Sequence, residues 1–377
     1  MAHPRIAPGL YVAPQPPLKL LHQFVWLARL LRVDTLMCDD HYQAFIPQAL
    51  WDKEFTWFAD QNPSPHLYFE YQVLLGHLAA RAGKVRLGVG VTEAIRRHPV
   101  TLAQAMMTLA HFTQRAPIMG IGSGERENTE PYGLDFSQPV GRLEEALQII
   151  RLCFTSQGPF DFEGKHFHLQ NAVMDLKPPP NKVPEIWLAA HGPRMLRLTG
   201  QYGDGWIPAE HMSPAEYAAK LAIIHQAARA AGRHPAAITP SYWLYTVVAP
   251  TEAGARAQLK TRGARFLILL ITPATVWRQR GLQHPFGEQY RGFIDFVPHE
   301  YDRRQLDAAM STVPDEMVED QLLWGTPEQV LAKLRAYGEA GMRHAMISLM
   351  STWLSQRATF DALRGYRWIA ARLRSGR

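Results

Sequence analysis

Eight short runs rich in β-forming residues alternate with helical patterns along the whole chain, and no break in composition separates them. The strand-like runs fall at 6–12, 35–38, 85–91, 117–121, 186–190, 205–207, 241–248 and 344–350. Helical spacing lies between them at 18–31, 100–112, 140–154, 214–230 and 327–340, and an arginine-rich helix at 364–377 closes the chain. Strict alternation of this kind predicts a (β/α)8 TIM barrel rather than an open sheet. The 377 residues are expected to form one unit, 1–377, because two segments exceed ordinary loop length. These lie after the second strand (41–83) and before the last helix-strand unit (272–325). Loops that long inside a barrel carry lids or helices of their own.

Composition narrows the function. Two cysteines, Cys38 and Cys153, build neither a disulfide framework nor a thiolate zinc site. No stretch is apolar and long enough to span a bilayer, and residues 1–9 lack the apolar segment of a secretory leader. A cytoplasmic protein is expected. The formal charge of +6 is spread over scattered arginines, so no nucleic-acid partner is expected, and the final helix reads as a solvated face.

In a barrel the chemistry sits at the carboxyl ends of the strands. Residues able to do chemistry cluster there: Asp40 and His41 after the second strand, Thr92 and Glu93 after the third, and Gly122, Ser123, Gly124, Glu125 and Asn128 after the fourth. His191, Gly192 and Arg194 follow the fifth, and Asp204 sits near the sixth. The run GIGSGERENTEPYG at 120–133 lets backbone approach a flat or anionic ligand, but Glu125 stands where a dinucleotide fingerprint needs its third glycine. In AAHGPRM, the amides of Gly192, Arg194 and Met195 open a helix, which suits an anion; plain helix capping is the rival reading. His166 and His168 read as surface residues, and no metal site is expected. Trp51, Phe55, Trp57, Phe58, Tyr68, Phe69 and Tyr71 make the first long segment aromatic, either as core or as a lid over an apolar ligand.

Taken in this order the motifs resemble the luciferase-like barrel superfamily, in its branch using the deazaflavin coenzyme F420, over nearly the whole chain. Asp40-His41 matches that branch's Asp-His pair. LGVGV at 87–91 resembles the strand that carries a non-prolyl cis peptide, which the resemblance places at Gly90-Val91 behind the central ring of the cofactor. Gly124-Glu125 with Asn128 matches the segment after strand four, Gly203-Asp204-Gly205 an element near strand six, and AAHGPRM the phosphate-binding segment. The resemblance thereby implies Asp40, Gly90, Val91, Asn128, Ala189, Ala190, His191, Gly192, Arg194 and Met195 as cofactor-binding residues. The phthiodiolone ketoreductase group is the nearest match, on GIGSGERENTEPYG, EIWLAAHGPRMLRLTG and GLQHPFG at 281–287. Two departures argue against a sugar phosphate substrate: Phe45 stands where related dehydrogenases have tryptophan, and WIPAEHMSPAEY lacks their phosphate-gripping Thr and Lys.

The resemblance implies hydride transfer between the reduced deazaflavin and the carbonyl of an apolar, polyketide- or lipid-type ketone. Hydride addition leaves an alkoxide, so an acid must stand nearby. His41 is expected as donor because histidine titrates near neutrality unaided, with Glu125 orienting it or the substrate; the reverse assignment needs burial to raise Glu125. An FMN-dependent monooxygenase on the same barrel and a non-catalytic cofactor-binding barrel are the alternatives. A homodimer is expected, since luciferase-like barrels commonly pair through helices near strands two and three.

Overall fold

The computed structural model describes residues 3–376; Met1, Ala2 and Arg377, which touch the expectations for the first nine residues and the last helix, lie outside it. Its strands are β1 (Ala7–Tyr11), β2 (Thr35–Cys38), β3 (Arg86–Thr92), β4 (Ile118–Ile121), β5 (Phe160–Glu163), β6 (His168–Ala172), β7 (Glu185–Leu188), β8 (Gly205–Trp206), β9 (Thr239–Val248), β10 (Leu323–Gly325) and β11 (His344–Leu349). Eight of them, in the order β1-β2-β3-β4-β7-β8-β9-β11, pair in parallel and close on themselves, which is the expected (β/α)8 barrel. β5 and β6 form a separate antiparallel hairpin that the eight-strand reading did not assign. β8 is only two residues long, so the far half of β9 is free on that side, and β10 pairs there.

Alternation along the strands sorts side chains to two faces. Leu36, Leu87, Val89, Ile121 and Ile186 pack outward against the helices, whereas Met37, Ile118, Trp187, Trp243 and Met346 fill the barrel. At its lower end, buried His344 meets Thr35 Oγ1 at 2.8 Å through Nε2 and Ser241 Oγ at 2.7 Å through Nδ1, so this core histidine is fully served. Burial holds it neutral, with a pKa lowered to about 4.

A second core caps the carboxyl end. It joins Ile46, Leu50 and Phe55 to helices Glu252–Leu259, Arg262–Ile271 and Arg303–Ser311. The inserted helices therefore begin near 252, earlier than the expected 272. The apolar run at 266–271 is buried all round, and such a run carries no helical stripe to read. His284 of GLQHPFG lies in this cap, ring-stacked on Tyr290, and not in the barrel mouth. The arginine-rich helix starts at Gln356, where Ser355 caps it, eight residues before the expected start.

Two glycines of the fourth segment are fixed by the neighbouring strand. Gly90-Val91 is a cis peptide, as the resemblance implied, and the β3–β4 register shifts between Val89 and Thr92. A Cβ on Gly120 would collide with the Val89 carbonyl oxygen, and one on Gly122 would sit 3.3 Å from a Val91 methyl. Gly120→Ala is accordingly expected to destabilise the fold by about 1–3 kcal/mol, the usual cost of overpacking, read as a lowered Tm.

Candidate active site

A cavity of about 340 Å³ opens at the carboxyl ends of the barrel strands. Its floor is the glycine-rich bend: Gly90, Val91, Gly122, Ser123 and Gly124 line it, and a Cβ on Gly90 would stand 2.8 Å from the Trp243 ring beneath. Its roof is the aromatic segment, with Trp51, Phe55, Phe58 and Tyr68 facing inward. That segment divides by function. Tyr71 and Phe69 belong to the main core, while Trp57 Nε1 donates to Thr352 O at 2.8 Å and Thr56 Oγ1 to Trp353 O at 2.7 Å, tying the roof to the loop after β11.

Along β2, Met37 points into the barrel and Cys38 into the outer core, and Asp39 and Asp40, which follow, both line the cavity. Asp40, expected at the cofactor, has its carboxylate oxygen Oδ2 taken by Thr92 at 2.7 Å, Arg97 at 2.6 Å and Arg96 at 2.9 Å, and its side chain is 3% exposed. It braces the loop. Asp39, absent from the expected set, lines the cavity too: its Oδ2 accepts from Tyr11 at 3.1 Å and Tyr68 at 3.3 Å.

His41 lies on the cavity wall, edge-on to Phe45. It is Glu127, not Glu125, that holds the ring: Nδ1 stands 2.6 Å from Glu127 Oε1. Glu127 is fully buried, and Asn128 Nδ2 donates to the same oxygen at 2.7 Å and stands 2.7 Å from His41 Nδ1 as well. Asn128 Oδ1 accepts from the Tyr42 amide, so this residue fastens the His41 loop and does not reach the cavity, contrary to its expected cofactor role. Glu125 does line the cavity, and ligand atoms of His41, Glu125 and Glu127 lie within 4.8 Å of one another.

These charges shift one another. Burial alone would lower the His41 pKa, but Glu127, then Asp39 and Glu125, outweigh it and hold it up at about 10. Burial and the neighbouring Glu127 raise Glu125 to about 7, against the pull of His41. Burial likewise raises Asp39 and Glu127. At neutral pH the site therefore presents a protonated imidazolium and a part-protonated carboxylic acid, two groups able to give up a proton.

The segment after β7 forms the opposite wall. Ala189 and His191 line the cavity, and His191 Nε2 accepts from the Ala209 amide at 3.0 Å. Ala190 and Met195 are buried in the core, so only their backbone can serve a ligand. Gly192 caps helix Pro193–Tyr202 with no side-chain cap, and a Cβ there would meet nothing within 4 Å. Arg194, at this helix start, pairs with Glu144 at 2.7 Å and lies outside the cavity lining. Asp204 is structural: it precedes β8 and ties Arg151, Arg233 and the Ile186 amide together. His168 is exposed and pairs with Glu163.

A phthiodiolone/phenolphthiodiolone dimycocerosates ketoreductase of Mycobacterium kansasii is 36% identical over 332 residues, covering 85% of this chain and 90% of that protein. The F420-dependent secondary alcohol dehydrogenase, solved with an F420-acetone adduct, superposes with a TM-score of 0.73 at 18% identity, over 98% of both chains. Riboflavin lyase, solved with modified FMN and riboflavin, gives 0.71 at 13% identity, over 97% of this chain and 91% of that one. The family model described as luciferase-like monooxygenase matches residues 54–344, and the chain belongs to this luciferase-like family.

Proposed function

We propose that the protein is an F420-dependent oxidoreductase that moves a hydride between the reduced deazaflavin and the carbonyl of an apolar ketone. The observation that carries this reading is a single cavity where proton-holding His41 and Glu125 face a glycine floor, under an aromatic roof. The ketoreductase relative and the F420-binding structural neighbour support it.

The residues fit such a cofactor. Gly90, Gly122 and Gly124 keep most of the floor low for a planar ring, and the buried Trp243 Nε1 has no partner among the described residues. The uncapped amides at Gly192 suit a phosphate. When bound, a reduced deazaflavin supplies a hydride. The protein's own part is acid–base and exclusion of water. His41 Nδ1–H is anchored on Glu127, which leaves Nε2–H, on the cavity side, to protonate the oxygen of the reduced carbonyl. The apolar roof of Phe55, Phe58 and Trp51 keeps water from that proton and gives an apolar substrate its surface.

The alternative donor, Glu125, is separable by pH. With His41 as the acid, ketone reduction should persist through pH 8 and fall only toward the His41 pKa of about 10. A fall centred near 7 would assign the proton to Glu125 instead. FMN chemistry is the second reading, favoured by the FMN-bound neighbour on the same barrel.

Pairing of two copies is part of the proposal. Helices Leu18–Leu30 and Tyr71–Ala82 expose Trp26 (62%), Leu30 (59%) and Val73 (74%) around the stacked His22–His77 pair. Light scattering is expected to give twice 42.7 kDa for the wild type and the single-chain mass for Val73→Glu with Trp26→Glu.

A further inference from the structure

The imidazole of His41 stands between two carboxylates, and only one of them makes a hydrogen bond to it. Glu127 Oε1 is 2.6 Å from Nδ1, whereas Asp39 Oδ2 is 3.7 Å from Nε2. At 3.7 Å the Nε2 proton is not captured by Asp39, so it stays available to an incoming carbonyl oxygen. The separation is still short enough for the aspartate's charge to act on the ring. Asp39 is fixed in that place through the same oxygen, because Tyr11 from β1 and Tyr68 from the roof both donate to Oδ2. Its other oxygen, Oδ1, is buried without a partner among the described residues.

We propose that Asp39 is a positioning residue for His41: it draws the Nε2–H edge of the imidazolium toward the cavity while Glu127 grips the opposite edge, and so sets how far into alkaline pH the acid keeps its proton. The proposal rests on the ketoreductase reading for its kinetic half and on geometry alone for the rest. The reaction balances without a further reactant. The carbonyl carbon gains the hydride, the oxygen gains the Nε2 proton, and His41 left neutral regains a proton from water once the alcohol leaves. Asp39 ends each turnover unchanged.

The groups facing His41 come from four directions: Glu127 and Glu125 after β4, Asp39 after β2, Tyr68 from the roof, and Phe45 as an uncharged edge. Arg96, after β3, acts on both glutamates and opposes them. An opposite charge at this range is worth about 1–3 pKa units. Both ring carboxylates favour the imidazolium, so removing either lowers the pH at which His41 loses its proton.

The test is Asp39→Asn, which keeps the side chain's size and an oxygen for the two tyrosines. In cofactor-free protein, nitrogen-15 NMR titration of His41 should show its pKa lowered by about one unit or more. With reduced F420 and a long-chain aliphatic methyl ketone, the alkaline limb of kcat should move down by the same amount, while KM changes less than about threefold. Asp39→Glu should restore the limb at least in part. An unmoved His41 titration overturns the proposal, as does a loss of kcat at all pH values with no shift of the limb. Failure of the wild type to reduce any ketone would instead count against the ketoreductase reading, and the NMR result would still decide the role of Asp39.

Discussion

His41→Ala is expected to lower ketone reduction by about 10²–10⁴-fold while leaving cofactor affinity within about tenfold. The size follows from the position of the ring. Its Nδ1 edge is fixed by Glu127 at 2.6 Å, and its charge is sustained by three carboxylates, so the alanine variant loses a preorganised acid and not a cofactor contact. Glu127→Gln keeps a hydrogen-bond partner for Nδ1 but removes the charge, and should show a smaller loss together with a lowered alkaline limb. Stopped-flow measurement of deazaflavin oxidation by ketone, beside a binding titration, separates the two effects. Equal turnover of His41→Ala and wild type would remove His41 from the chemistry and leave Glu125, raised to about 7, as the acid.

Gly192→Asp is expected to do the opposite, weakening cofactor binding by about 10²-fold or more in a protein that folds normally. Nothing lies within 4 Å of a Cβ at this position, and its φ of −80° and ψ of 161° suit any residue, so the fold has no reason to object. Aspartate is moreover a favoured N-cap, and its carboxylate would take the free amides of helix Pro193–Tyr202 for itself. The new negative charge would then occupy the place of the cofactor phosphate and repel it. Fluorescence titration with F420, alongside a thermal melt, reads both halves. Unchanged affinity in the variant would place the phosphate elsewhere.

Much of this architecture is legible in the amino-acid order. The barrel strands fall within about two residues of where β-rich runs place them, because each is a short apolar run closed by a turn. What failed to show was equally physical. Helix Arg262–Ile271 ends in the run FLILLI, buried throughout, and six apolar residues in a row reveal no period. Glu127 sits between Glu125 and Asn128, and spacing within a loop does not say which side chain turns inward; only the closed barrel brings it under His41. Asp39 did carry a signal. It shares the parity of Met37 along β2, and parity assigns it to the inner face. The motif resemblance drew attention to Asp40, which lines the cavity and holds Arg96 and Arg97. Of the segment that the resemblance assigned to a phosphate, Ala189 and His191 line the cavity, whereas Arg194 pairs with Glu144 outside it.

The departure at Phe45 has a counterpart in the cavity. Phe45 packs against both His41 and Phe293, so an aromatic edge faces the place where a polar substrate group would need a partner. Together with Phe55, Phe58 and Leu270 it makes the substrate side apolar, which accords with a ketone of lipid or polyketide type.

The central claim is the identity of the cofactor, and one measurement addresses it most directly: equilibrium titration of the purified protein with F420 and with FMN, side by side under the same conditions. Saturable binding of F420 is expected at concentrations where FMN binds weakly or not at all, with the affinity for F420 lowered by about 10²-fold or more in Gly192→Asp. Tight binding of FMN with no measurable binding of F420 would contradict it.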